Sequence, residues 1–253
     1  MLFILPASLL ARPDRLKKIL SSGELRVCIW TDYYGISYKN PKSQKISGID
    51  SDMAQELAKE LNVKLLFVES SFAKLIEDVT KDRCDVAMFA IGITPVRAQK
   101  LRFTTPHLVS DIYGITTKSN RRIKTWDDID KKGVVVVVAR GTYHEFVMKE
   151  KLKQATLIVK ETPHAREQEV ESGRADIFMT DFPYSRRMLD NVDWARVVAP
   201  PQAFHLTYYA YALLPGDDPW YQRLEQFVVS IKKDGRLARA ARKYNLQSIL
   251  VHQ

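Results

Sequence analysis

No stretch of this sequence reaches the length of a membrane-spanning helix. Its apolar opening, residues 1–11, is too short to cross a bilayer. There is no internal repeat and no low-complexity segment. The five histidines, His107, His144, His164, His205 and His252, show no metal-ligand spacing, and serine and cysteine nucleophile motifs are absent. No metal or other cofactor is therefore expected. Nor does any nucleic-acid recognition motif accompany the formal net charge of +9. Lysines and arginines are scattered beside acids on helix-like stretches, which reads as solvated surface rather than a nucleic-acid face. Such a basic surface would steer anionic ligands or an acidic partner.

Cysteine is nearly absent too: Cys28 and Cys84 are the only two, both in strand-like segments. In an exported protein an even pair invites a bridge, worth about 4 kcal/mol in the chain-entropy model. Two buried free thiols are the other reading. Export itself is suggested by residues 1–11, which suit the apolar core and small-residue end of a secretory signal, with Ala11 at the cleavage position. The customary positive start is missing, and a buried N-terminal helix is the alternative.

What is present is 45% hydrophobic content, enough for packed cores, in alternating strand-like and helix-like segments. Residues 25–30, 64–69 and 85–90 read as strands, with helices over 51–61 and 72–80 between them. This order implies a parallel sheet flanked by helices. A second unit begins near Thr125, with a short helix at 126–129 and then five consecutive valines, Val134 to Val138. So continuous a β-branched run suits a central strand buried on both faces. A helix over 142–153, a strand over 156–160, a helix over 165–172 and a strand over 176–180 follow. A tyrosine-rich strand over 207–214 leads into helices over 218–244, broken at Gly235. The chain is thus expected to form one lobe from residues 12–111 plus 207–253 and a second from 112–206. The crossings near 110–113 and 204–208 would make a hinge. Ligands of open α/β sheets bind outside the carboxyl ends of the strands, so both lobes would face one cleft.

Six landmarks occur in order: Gly23-Glu24-Leu25-Arg26-Val27, Gly48-Ile49-Asp50-Ser51-Asp52, Ile93-Thr94-Pro95-Val96-Arg97, Arg140-Gly141-Thr142, Met179-Thr180-Asp181 and Lys233-Asp234-Gly235-Arg236-Leu237. With them the sequence, from about Leu16 to Tyr244, resembles the polar amino-acid type (family 3) of extracellular, periplasmic solute-binding proteins. The resemblance implies a type II periplasmic-binding fold with two α/β lobes, each a mostly parallel sheet flanked by helices. It also implies a monomer in the periplasm that closes around an amino acid or related small carboxylate and delivers it to a membrane ABC permease. It places Arg97 on the ligand carboxylate, where a planar guanidinium makes two parallel hydrogen bonds. Thr142 and Tyr143, opening a helix, would offer backbone N–H groups to the same carboxylate. Asp181 would hold an α-ammonium, Phe72 and Tyr33 would sandwich the ligand side chain or belong to the core, and Asp32 would reach a distal cation.

Departures from the family pattern sit at Gly92, where many members carry a hydroxyl residue, at Ala90 two residues before it, and at Gly35-Ile36 in place of Pro-Phe. Losing the hydroxyl removes an acceptor for an ammonium, so a ligand without an amine stays open. The tyrosines at 33, 34, 38, 143 and 184 would line the cleft. Cyclohexadienyl dehydratases resemble this family and need a carboxylic acid after the motif aspartate. Phe182-Pro183-Tyr184-Ser185 supplies none, so no catalysis is expected. A sensory or dehydrogenase-associated periplasmic role, with a partner other than a permease, is the third reading.

Overall fold

The computed structural model describes residues 14–251, so the candidate leader lies outside the described residues. Two sheets organise the chain. The first runs in the order Lys64–Glu69, Glu24–Ile29, Val86–Gly92, Thr207–Leu213 and Arg102–Phe103, with Leu108–Ser110 also paired to Thr207–Leu213. Its first three strands are parallel, whereas Thr207–Leu213 runs antiparallel to Val86–Gly92. The second sheet runs Thr156–Lys160, Val135–Ala139, Ile177–Thr180, Tyr113–Thr117 and Ala195–Val198. Three parallel strands again meet an antiparallel pair. Both sheets are therefore mixed rather than purely parallel, in a two-lobed α/β molecule.

The valine run behaves as its composition dictates. Val135–Ala139 is paired on both sides, and Val136, Val137 and Val138 are fully buried. The helix expected over 51–61 begins two residues earlier, as Ile49–Leu61, with Asp50 and Asp52 in its first turn. Gly235 breaks the C-terminal helices as expected: its φ of 79° separates Asp218–Lys233 from Arg236–Lys243. Some of the elements absent from the sequence pattern are short or begin at proline. A three-stranded ribbon, Asp32–Tyr33, Ser37–Lys39 and Ile46–Ser47, is too short to show a period. The helix Phe182–Asn191 starts with Pro183 in its first turn, a position that needs no N–H.

Cys28 and Cys84 form a disulfide, with Cα atoms 5.5 Å apart across a sequence separation of 56. Cys84 lies just ahead of the strand Val86–Gly92 rather than within it, so the bridge ties the central strand Glu24–Ile29 to its neighbour's approach.

The chain leaves the first sheet after Ser110 and rejoins it at Thr207, and these two residues are paired across the ladder. Asp111 binds the two passages together. Its carboxylate accepts from the backbone N–H of Phe204 and of His205, each at 2.8 Å.

Candidate functional site

The strand Ile177–Thr180 delivers Asp181 to the carboxyl end of the second sheet, where its side chain caps the next helix by accepting from Tyr184 N at 3.2 Å. The carboxylate is 1% exposed and faces the first lobe. It accepts hydrogen bonds from the hydroxyls of Tyr33 and, at 2.8 Å, Tyr209. Burial raises the pKa of Asp181 against the pull of these donors, and raises those of Tyr33, Tyr143 and Tyr209 well above the ordinary phenol value. The Tyr143 hydroxyl lies 3.2 Å from that of Tyr209. The cleft is thus spanned by a chain of polar contacts from both lobes.

Arg97 sits on the short turn Pro95–Ala98, whose Thr94 side chain accepts from Arg97 N at 3.3 Å. Its side chain reaches inward to 2% exposure. One Nη donates to Gly92 O at 2.7 Å and the other to Gly141 O at 2.9 Å, across the cleft. Among the described residues no carboxylate pairs with it, and burial pushes its pKa down to about 10. Phe72 lies 5.4 Å below the guanidinium. Trp30, Tyr33, Phe72 and Phe89 form a continuous ring cluster, with Phe72 in contact with all three others.

Two glycines are required by this geometry. Gly141 has φ +74°, and a Cβ there would meet Ala73 backbone atoms at 2.6 Å. A Cβ on Gly92 would meet Thr207 Cγ2 at 2.8 Å, so the Thr207 methyl occupies the space a hydroxyl residue would need. Ala90 adopts φ 47°, a conformation unusual outside glycine, and its N–H donates to Asp50 at 2.5 Å. Asp50 also contacts His107 at 3.1 Å, with both side chains fully buried. The Gly-Ile-Asp landmark is thereby explained as a brace for the strand rather than a ligand contact.

Trp30, Tyr33, Phe72, Thr142, Tyr143, His144, Pro163, Arg166, Thr180, Asp181 and Tyr184 enclose a cavity of about 20 Å³, room for about one water. As it stands, this space is too small for a ligand of amino-acid size. Several sequence-predicted residues meet here: Tyr33, Phe72, Thr142, Tyr143 and Asp181. Gly92 and Arg97 adjoin Tyr143 at one edge. Thr142 differs from its expected role: its backbone N–H already donates to Ala139 O at 3.4 Å, as its hydroxyl does at 2.7 Å. Asp32 does not reach the cavity; its carboxylate faces Arg187 at 3.3 Å and is neutralised within the chain. Tyr34 and Tyr38 meet edge to face, 5.7 Å apart, over a different surface hollow.

Tyr209, His144 and Arg166 were not predicted. Tyr209 sits in the strand Thr207–Leu213, whose nearly continuous burial marks no face for the cleft. His144 and Arg166 left no signal, because both lie on helices rich in charged residues.

Residues 25–247 match the model of the bacterial extracellular solute-binding proteins, family 3. The cyclohexadienyl dehydratase of Pseudomonas aeruginosa is 34% identical over 91% of this chain and 86% of its own length. The L-cystine-binding protein TcyJ of Escherichia coli is 25% identical over 90% of this chain and 85% of its own. The crystal structure of the ancestral amino acid-binding protein AncCDT-1, a precursor of cyclohexadienyl dehydratase, is 32% identical and superposes with a TM-score of 0.83, covering 90% of this chain and 98% of that one. The six landmarks, the two-lobed fold and these likenesses agree: the chain belongs to family 3 of the bacterial extracellular solute-binding proteins.

Proposed function

We propose that this chain is a periplasmic binding protein whose lobes, residues 12–111 with 207–253 and residues 112–206, hinge shut around an amino acid. It then delivers its ligand to a membrane ABC permease as a monomer, without chemistry. The observation that carries the reading is Arg97. A buried guanidinium with five donors, two of them on backbone carbonyls from opposite lobes and none on a carboxylate, is a ready partner for a ligand carboxylate. Closure also brings Asp181 against the aromatic wall of the first lobe, where an α-ammonium would complete its charge. Tyr33 and Phe72 then flank the ligand side chain.

The likeness to a dehydratase favours a second reading, a cleft that protonates a leaving hydroxyl. Burial raises the pKa of Asp181 despite its two hydroxyl donors and one backbone N–H, as a proton donor needs, so the argument against this reading lies in the residues that follow it. Tyr184, in the stretch where the dehydratase resemblance calls for an acid, is a phenol whose hydroxyl donates to Glu167. A thermal-shift screen of the purified chain against amino acids and small carboxylates should show a ligand-dependent rise in melting temperature. Incubation with a cyclohexadienyl carboxylate should yield no aromatic product. Turnover to the aromatic product would replace the binding reading with the enzymatic one.

A further inference from the structure

We infer that the ligand carries a second acidic group, held by Arg166, so that the cleft selects an acidic side chain. The inference deepens the proposed binding role and rests on it. Arg166 projects from the helix Pro163–Glu171, is 3% exposed and lines the same cavity as Asp181. Its Nη atoms donate to Met179 O at 2.7 Å and Thr180 Oγ1 at 3.1 Å, while Nε has no partner. Among the described residues no carboxylate forms an ion pair with it. The neighbouring acid, Glu167, is already engaged by the Tyr184 hydroxyl and by Arg187.

Direct pairing is what is missing. A zwitterionic amino acid would set its carboxylate against Arg97 and its ammonium against Asp181, leaving Arg166 with no carboxylate in contact, since Asp181 and Asp32 act on it only from a distance. A buried guanidinium without a paired acid is unfavourable. The rings of Phe178 and Tyr184, 4.7 and 4.5 Å from the guanidinium carbon, offset only part of that cost. His144 adds no counter-charge. It is 5% exposed with neither ring nitrogen bonded, and burial, then Arg166 and Arg97, keep it neutral. A cationic ligand side chain would meet Arg166 as a like charge, since Asp32 is paired to Arg187 outside the cavity.

Calorimetry on the full chain tests this with aspartate against asparagine, glutamate against glutamine, arginine, and the amine-free succinate and glutarate. One acid should bind at least about tenfold tighter than its amide, since an unpaired buried charge partner costs that much or more. In Arg166→Met that ratio should fall toward one, and Arg166→Lys should restore part of the preference. Should Arg166→Met fail to fold, the acid-to-amide ratio of the unaltered chain decides alone. Tighter binding of succinate or glutarate than of any amino acid would keep the second acid and remove the amine. Amides or arginine binding as tightly as the acids would overturn the inference and leave the binding role intact. No binding across the whole set would remove both.

Discussion

Two regions of this molecule draw arginines away from water, and they satisfy them in opposite ways. Arg15 and Arg26, beside the first strand, meet acids: Asp85, nearly buried, takes Arg15 at 2.9 Å and Arg26 at 2.7 Å, and Asp82 takes both as well. The hydrogen bond to Asp85 holds the Arg26 guanidinium above its already high range. Arg97 and Arg166, in the cleft, have carbonyls, a hydroxyl and ring faces but no acid among the described residues. The first arrangement is closed within the chain and serves the fold. The second is complete only with an anion from outside.

That contrast can be broken at several points. Asp85→Asn should cost about 3–5 kcal/mol of stability, because it removes the buried acid and leaves Arg15 and Arg26 only the half-exposed Asp82. Chemical denaturation would measure it, and ligand affinity should not change. A large affinity loss in a stably folded variant would mean the two regions are not separate. Next, opening the bridge with Cys28→Ser and Cys84→Ser together should cost about 4 kcal/mol, again without altering affinity. Equal stability of the bridged and unbridged chains would count against this.

The smallest effect belongs to His144. Its imidazole is neutral in the fold, with a pKa well below the usual 6.5, because of burial first and then Arg166 and Arg97. A depressed folded value means the unfolded chain binds the extra proton first. The stability is therefore full above pH 6.5 and declines below it, by about 1.4 kcal/mol per pH unit for one proton. Denaturation at pH 7 and at about pH 5.5 should show that loss in the unaltered chain and less of it in His144→Phe. An unchanged slope in the variant would show that His144 is not the group responsible.

The frame of the molecule was legible in the sequence for physical reasons. The valine run could only be a strand buried on both faces, and Gly235 could only interrupt a helix. Arg97, Thr142 and Asp181 followed from ordered landmarks and Tyr143 from its place beside one, and all four lie at the cleft. What stayed hidden depends on contacts distant in sequence. Asp32 read as a ligand group because nothing near it announces Arg187, and Tyr209 meets Asp181 only once the strand Thr207–Leu213 is paired. Arg166 sits in a largely polar helix with no apolar stripe, so its inward orientation is set by the sheet it packs on. The helix Phe182–Asn191 was missed because Pro183 reads as a break until Asp181 is seen to cap it.

The central claim is that Arg97 is held for a ligand carboxylate rather than for the fold. Calorimetry of Arg97→Ala against the ligand that most raises the melting temperature tests it directly. The account predicts a loss of about 2–5 kcal/mol, at least about thirtyfold in affinity, in a variant whose melting temperature stays within a few degrees. Unchanged affinity in a normally melting variant would contradict it.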